Sequence, residues 1–202
     1  MGASGWSAPA RVGPSLLLAP SAVCTRAEAL AQASVVPKAP GVYGWYFDAL
    51  PSGVPTEGVH ASEFGHLLYV GIAPRRPRAS DSRPSQQHLR SRIRSHFRRR
   101  ADSSTLRLTL GSLLADELDL RLQTTGNSGR FTFGAGEAEL SNWMSRHARV
   151  AWVVDAEPWL LEAELISSLV LPLNLDQNRR NPFRRSLAEA RRLQRELARE
   201  ST

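Results

Sequence analysis

Two short runs of aromatic and β-branched residues, Val42–Phe47 and Leu67–Ala73, constrain this chain more than any other feature. Both are bounded by breakers: P-K-A-P-G at 37–41 precedes the first, and D-A-L-P-S-G-V-P at 48–55 follows it. Branched and aromatic side chains fit a pleated surface, while glycine and proline clusters end it. The two runs therefore predict an antiparallel pair of strands with a long connection. Val150–Val154 reads as a third, buried strand. Between and after the strands the apolar period is helical. Leu89, Ile93 and Phe97 form one row within 86–100, Leu106 to Leu118 a second helix, Glu137–His147 a third, and Trp159–Leu169 a fourth, closed by Pro172. Residues 124–136 hold four glycines and read as a loop. The order predicts an α/β fold, a small, mainly antiparallel three-stranded sheet flanked by helices. At 202 residues, 42% of them hydrophobic, the chain suffices for one compact domain with tails.

The flanks read differently. Thr25 and Glu28 have capping-box spacing, so a short helix is expected from Arg26 to about Ala33. Residues 1–24 make a poor secretion signal and are expected to be a loosely ordered part of a leader spanning 1–36. The domain proper is expected over 37–178, with a proline-rich basic loop at 73–87, and a basic helical tail over 179–202.

Charge is segregated along the chain. Residues 75–100 contain ten arginines against Asp81, a local charge of +9, and residues 179–199 contain eight against Glu189 and Glu196, a local +6. The whole chain carries +7, so the remainder is −8. An electropositive face on an otherwise acidic protein suits a polyanionic partner, with nucleic acid, DNA or RNA, the leading candidate. A solvated surface without a partner is the competing reading of any one arginine run. No apolar stretch reaches the roughly 18 residues of a membrane span. Cys24 is the single cysteine, so neither an internal disulfide nor a cysteine zinc site is available, and a reducing, cytoplasmic setting is expected.

Several polar residues stand where their helices would otherwise be apolar. On a helical wheel Glu162 falls among Trp159, Leu165, Ile166 and Leu169, while Glu164 points the opposite way. A carboxylate in that position is costly unless paired or metal-bound, which leaves a cation ligand and a buried ion pair with arginine as its two explanations. Arg92 and His96, four apart, share a face beside the apolar row. Arg90, Arg94 and Arg98 form another row, expected to face solvent and to contact phosphates. Trp45 and Tyr46 are expected to be core or strand-surface aromatics.

With these residues in place, the chain resembles the GIY-YIG nuclease family. Gly41-Val42-Tyr43 is similar to its first motif and Tyr69-Val70-Gly71 to its second. Leu89 to Phe97 resembles its arginine helix, and Leu161-Glu162-Ala163-Glu164-Leu165-Ile166 with Pro172 and Asn174 resembles its metal-binding helix. Each triplet alone is weak; four elements in order over about 37–178 are specific. The resemblance implies an endonuclease that hydrolyses phosphodiester bonds in DNA with Mg²⁺ or Mn²⁺ held through Glu162. It implies further that Tyr43, Tyr69, Arg92, His96, Glu162 and Asn174 form the site. Tyr43 would be the general base, alone or with His96, and Tyr69 would position water or phosphate. Assignment of the proton among Tyr43, Tyr69 and His96 stays open, and Asn174 has capping of the turn after Pro172 as its alternative role.

Two departures qualify the match. Members often carry a lysine just after the second motif, where this chain has Ile72; Arg75 or Arg76 of the loop would have to supply that charge. The long basic loop before Arg92 is similar to that of the family's restriction endonucleases, where such insertions approach DNA. The alternative function is a nucleic-acid-binding module on the same scaffold without catalysis, supported by Ile72. A third is a basic interaction protein binding acidic protein surfaces or RNA.

Overall fold

A computed structural model describes residues 13–77, 85–98, 100–126 and 129–200. In chain order its elements are α1 (Ser15–Leu18), α2 (Arg26–Leu30), β1 (Gly41–Phe47), β2 (Ala61–Ser62), β3 (Gly65–Ala73), α3 (Leu89–Arg98) and, after a 3₁₀ turn at Ala101–Ser103, α4 (Thr105–Leu113). They continue with β4 (Gln123–Thr125), β5 (Arg130–Thr132), α5 (Gly136–His147), β6 (Ala148–Val154), α6 (Pro158–Ser168) and α7 (Arg184–Glu200).

The main sheet is antiparallel in the order β2-β3-β1-β6, so the expected three strands acquire a two-residue fourth at the edge. The glycine-rich stretch read as a loop contains the separate β4-β5 hairpin, whose strands of three residues are too short to show an apolar period. Because β1 is central, it is buried along its whole length, and its alternate side chains feed two cores. Tyr43, Trp45 and Phe47 meet α3, α4 and α5 on one face, and Val42 and Tyr46 meet α1 and α6 on the other. Trp45 and Tyr46 take the first of their two expected placements, the core. Opposite Trp45 and Tyr46 the register of β3 shifts, leaving Leu68 as an extra residue. That bulge lets both Leu68 and Tyr69 serve the helix-covered face.

The N-terminal segment is not loose from residue 13 onward. Leu17 of α1 is buried in the second core, and Cys24 exchanges backbone hydrogen bonds of 2.8 and 3.0 Å with Val150. Residues 1–12 lie outside the described residues. Thr25 and Glu28 form the expected capping box on α2, which ends at Leu30. The end of α2 and the segment after it are stitched to α3: Arg94 donates to the carbonyls of Ala29 (2.9 Å) and Ala31, and Arg90 to those of Val36 (2.6 Å) and Ser34 (3.2 Å). Guanidinium donors suit carbonyls left orphaned at a helix end. The expectation of a solvent-facing row is therefore corrected for Arg90 and Arg94, and only Arg98 of the three is exposed.

A second polar knot joins α4, α5 and the hairpin. The Arg107 side chain is 1% exposed and donates to the Glu137 carboxylate (2.7 and 3.1 Å) and to the Glu137 carbonyl (2.9 Å). The other Glu137 oxygen accepts from the backbone of Ala101 and Phe133 and from the Thr132 hydroxyl. Among the described residues, no helix is long and apolar enough to cross a membrane. Removing one member of a buried pair strands the other charge. Glu137→Ala is thus expected to cost about 3–5 kcal/mol in denaturant unfolding, most of it regained when Arg107→Met is added.

Candidate active site

The strands and three helices converge on a cleft of about 640 Å³ between the sheet, α3 and α6. Tyr43 enters from β1, Tyr69 from β3, Arg92 from α3, Glu162 from α6, and Thr105 from the first turn of α4. Tyr43 and Gly71 are directly paired across β1 and β3. A Cβ at residue 71 would lie 2.5 Å from the Tyr43 hydroxyl and 2.8 Å from its ring carbon Cζ, so only glycine lets the phenol lie across the neighbouring strand.

His96 does not line the cleft surface; it is completely buried behind Tyr43. Its Nε2 lies 2.9 Å from the Tyr43 hydroxyl and its Nδ1 2.7 Å from the Ser104 hydroxyl, which also caps α4 by accepting from the Arg107 backbone N–H at 3.2 Å. The rings of Tyr43, Trp45 and Tyr69 surround the imidazole at centroid distances of 5.5 to 6.1 Å. Burial, and then the charges of Arg92 and Arg107, hold its pKa well below the ordinary histidine value, so it is a neutral imidazole at pH 7. Such burial also sets His96 apart from an ordinary helix-surface histidine.

The Tyr43 phenol is only 1% exposed, and Arg92 Nε donates to it at 3.4 Å. Burial raises the Tyr43 pKa, Tyr69 adds to the rise, and Arg92 opposes it without prevailing. Arg92 alone therefore does not bring the phenol to a working value, and without a further cation Tyr43 keeps its proton. Tyr69 is also raised by burial, partly offset by a hydrogen bond with Thr105 and by Arg92. Burial works against the charge of Arg92, but Tyr43, Tyr69 and Glu162 together hold its pKa above the ordinary value.

Glu162 is half-buried at the cleft and makes no ion pair among the described residues, so the buried arginine bridge that competed for it is not there. Burial pushes its carboxyl up to about 7, Asp176 adds to the rise, and a hydrogen bond from Gln177 and the charge of Arg92 act the other way. Glu164 is exposed, as expected. Among the described residues, no three His, Cys, Asp or Glu come together as a metal cluster. The cleft instead offers one underpaired carboxylate, Glu162, with Asp176 beside it. That oxygen-only donor set fits a hard divalent ion that keeps most of its water, and does not fit a soft or fully protein-ligated one.

Asn174 is brought near the site but spends its side chain elsewhere. Its Oδ1 accepts from the Val70 N–H and its Nδ2 donates to the Val70 carbonyl, both at 2.9 Å, while the Leu173 N–H donates to the Leu68 carbonyl at 3.0 Å. Residues 173 and 174 thus continue the edge of β3 beyond β2, and Asn174 locks the strand that carries Tyr69 while bordering a small cavity together with Tyr69 and Glu162. Arg75 and Arg76 line the cleft near Ile72, which packs into the second core; loop residues 78–84 lie outside the described residues. Thr105, Asp176 and Gln177 were not singled out from the sequence, where no local pattern marks them; in the structure Gln177 has a left-handed φ of 60°, uncommon for a residue with a side chain. Gly71→Ala is expected to preserve the fold but to displace the Tyr43 hydroxyl, read as loss of its environment in tyrosine difference spectra with only about 1–3 kcal/mol of stability lost.

A model of the GIY-YIG catalytic domain matches residues 41–193, a span that includes every residue of the cleft. No curated protein and no solved structure matches significantly. With about three quarters of its length matched and the sheet, arginine helix and glutamate helix arranged around one cleft, the chain belongs to the GIY-YIG family of nuclease-type domains.

Proposed function

We propose that the protein is a metal-dependent endonuclease that hydrolyses phosphodiester bonds in DNA. The observation that carries this reading is the convergence of Tyr43, Tyr69, Arg92 and Glu162 on one open cleft, with the neutral His96 hydrogen-bonded behind Tyr43. Glu162 would hold Mg²⁺ or Mn²⁺. When bound, such an ion supplies stabilisation of charge on the phosphate and the departing oxygen.

The chain's own groups do the rest. Arg92 neutralises charge that develops on the non-bridging phosphate oxygens as water adds to phosphorus and the opposite phosphorus–oxygen bond breaks. Tyr43 accepts a proton from the attacking water while its own proton passes to His96 Nε2, the imidazole keeping its other proton on Nδ1 toward Ser104. This relay answers the raised pKa of Tyr43, because the phenol never has to exist as a free phenolate. The resulting imidazolium is disfavoured by burial and by Arg92 and Arg107, so it returns the proton readily. Tyr69, tied to Thr105, orients the water or the phosphate. Arg75 and Arg76 at the cleft and the exposed Arg98 would hold the DNA backbone, whereas Arg90 and Arg94 donate to backbone carbonyls of residues 29–36.

The second reading, a binding module without catalysis, draws on Ile72 in the cleft where a lysine is frequent in the family. Glu162 separates the two readings. Glu162→Gln preserves size and removes charge, so folding and DNA binding in Ca²⁺ should survive while cleavage falls by more than about 10³-fold, the scale for losing a principal electrostatic group. The exposed Glu164→Gln should cut normally. Normal cutting by Glu162→Gln would remove the metal assignment, and unfolding would make Glu162 a structural residue.

A further inference from the structure

Arg191 occupies the inner face of α7, where Leu187 and Ala198 pack toward α4. It is only 9% exposed, its Nε is sealed from solvent without a partner, and it makes no hydrogen bond or ion pair with any described residue. The next residue, Arg192, is exposed and paired with both Glu189 and Glu196. Acids are thus available on this helix but are turned outward, away from the buried cation. A charge in that position is unfavourable against an apolar side chain of similar size, unless an anion from outside completes it.

The surroundings say which anion. Arg191 lines a small cavity of about 80 Å³ together with Tyr69, Glu162 and Asp176, and a larger one of about 360 Å³ together with Arg130, Arg195 and Phe131. Thr105 lines both of these and the catalytic cleft, so the three run into one another. In the larger cavity three arginines face one acid, the exposed Asp102. Asp176 is the acid that acts electrostatically on Arg191, but it stays beyond ion-pair distance and belongs to the catalytic cleft. The Arg195 guanidinium stands 6.0 Å from the centre of the Phe131 ring, which holds it over the cavity.

We propose that Arg191, with Arg195 and Arg130, forms a second anion site that takes a backbone phosphate of the nucleic acid flanking the one at the catalytic cleft. The strand would leave the cleft past Thr105 and cross α7. This site rests on the nuclease reading for its ligand, but its own evidence is the unpaired buried arginine. It also gives the C-terminal helix a role beyond keeping a charged tail in solution.

The test is equilibrium binding of a short DNA duplex in Ca²⁺ as salt is varied, with thermal unfolding of each variant. Arg191→Met and Arg195→Ala should each flatten the log–log salt dependence by roughly 0.9 and weaken binding several-fold at low salt. Arg191→Met should keep or raise the melting temperature, because the unpaired charge is gone. Arg192→Ala, whose charge is already paired, should leave the slope unchanged. Unchanged slopes for both Arg191→Met and Arg195→Ala would overturn the proposal, as would an equal loss for Arg192→Ala. If Arg191→Met fails to fold, the Arg195→Ala slope decides alone. Flattened slopes without cleavage in Mg²⁺ by the parent protein would keep the site and remove the nuclease reading; cleavage with unchanged slopes would do the reverse. Absence of duplex binding by the parent protein would overturn both.

Discussion

The contact between the Tyr43 hydroxyl and His96 Nε2, 2.9 Å long and sealed from solvent, is the point on which the rest of this structure depends. It joins the central strand to α3, and through Ser104 it joins α3 to the first turn of α4. A polar chain buried among Trp45, Tyr69 and Phe97 is tolerable only if each member finds its partner. Satisfying it fixes the rotation of α3, and that rotation brings Arg92 over the phenol. Gly71 makes the same demand from the other strand, since the phenol needs the space a side chain would take.

Around this centre the polar groups divide into those that finish a structure and those left unfinished. Arg90, Arg94, Arg107, Glu137 and Asn174 all spend their donors or acceptors inside the fold, on carbonyls, on each other, or on the backbone of β3. Glu162, with a single hydrogen bond from Gln177, and Arg191 are less complete: each is an ionisable group on the packed side of its helix with no ion pair among the described residues. They meet in the cavity that adjoins the catalytic cleft, one negative and one positive. On the proposed function, a ligand carrying both signs, such as a phosphate backbone with its bound cation, would complete both.

Much of this was legible in the sequence because it rests on period and punctuation. The runs at Val42 and Leu67 became β1 and β3, and Thr25 with Glu28 became the capping box. Glu162 stood out because one helical wheel suffices to show an acid among apolar neighbours. The contacts that a sequence does not announce depend on distant partners. Asn174 pairs with Val70, 104 residues away, and the Arg90 and Arg94 contacts with 29–36 cross 54 to 65 residues; no local pattern announces either. Arg191 was hidden for a different reason, since in a tail of eight arginines one buried arginine looks like the exposed rest. The two strands of the β4-β5 hairpin are too short to carry any period.

The central claim is that this cleft hydrolyses DNA with the help of a divalent ion. It is tested most directly by incubating the purified protein with supercoiled plasmid in Mg²⁺, in Mn²⁺, and in EDTA, and following conversion to nicked and linear forms. The account predicts conversion with either metal and none in EDTA. Intact plasmid in every condition, from protein that is folded and binds the same DNA, would contradict it.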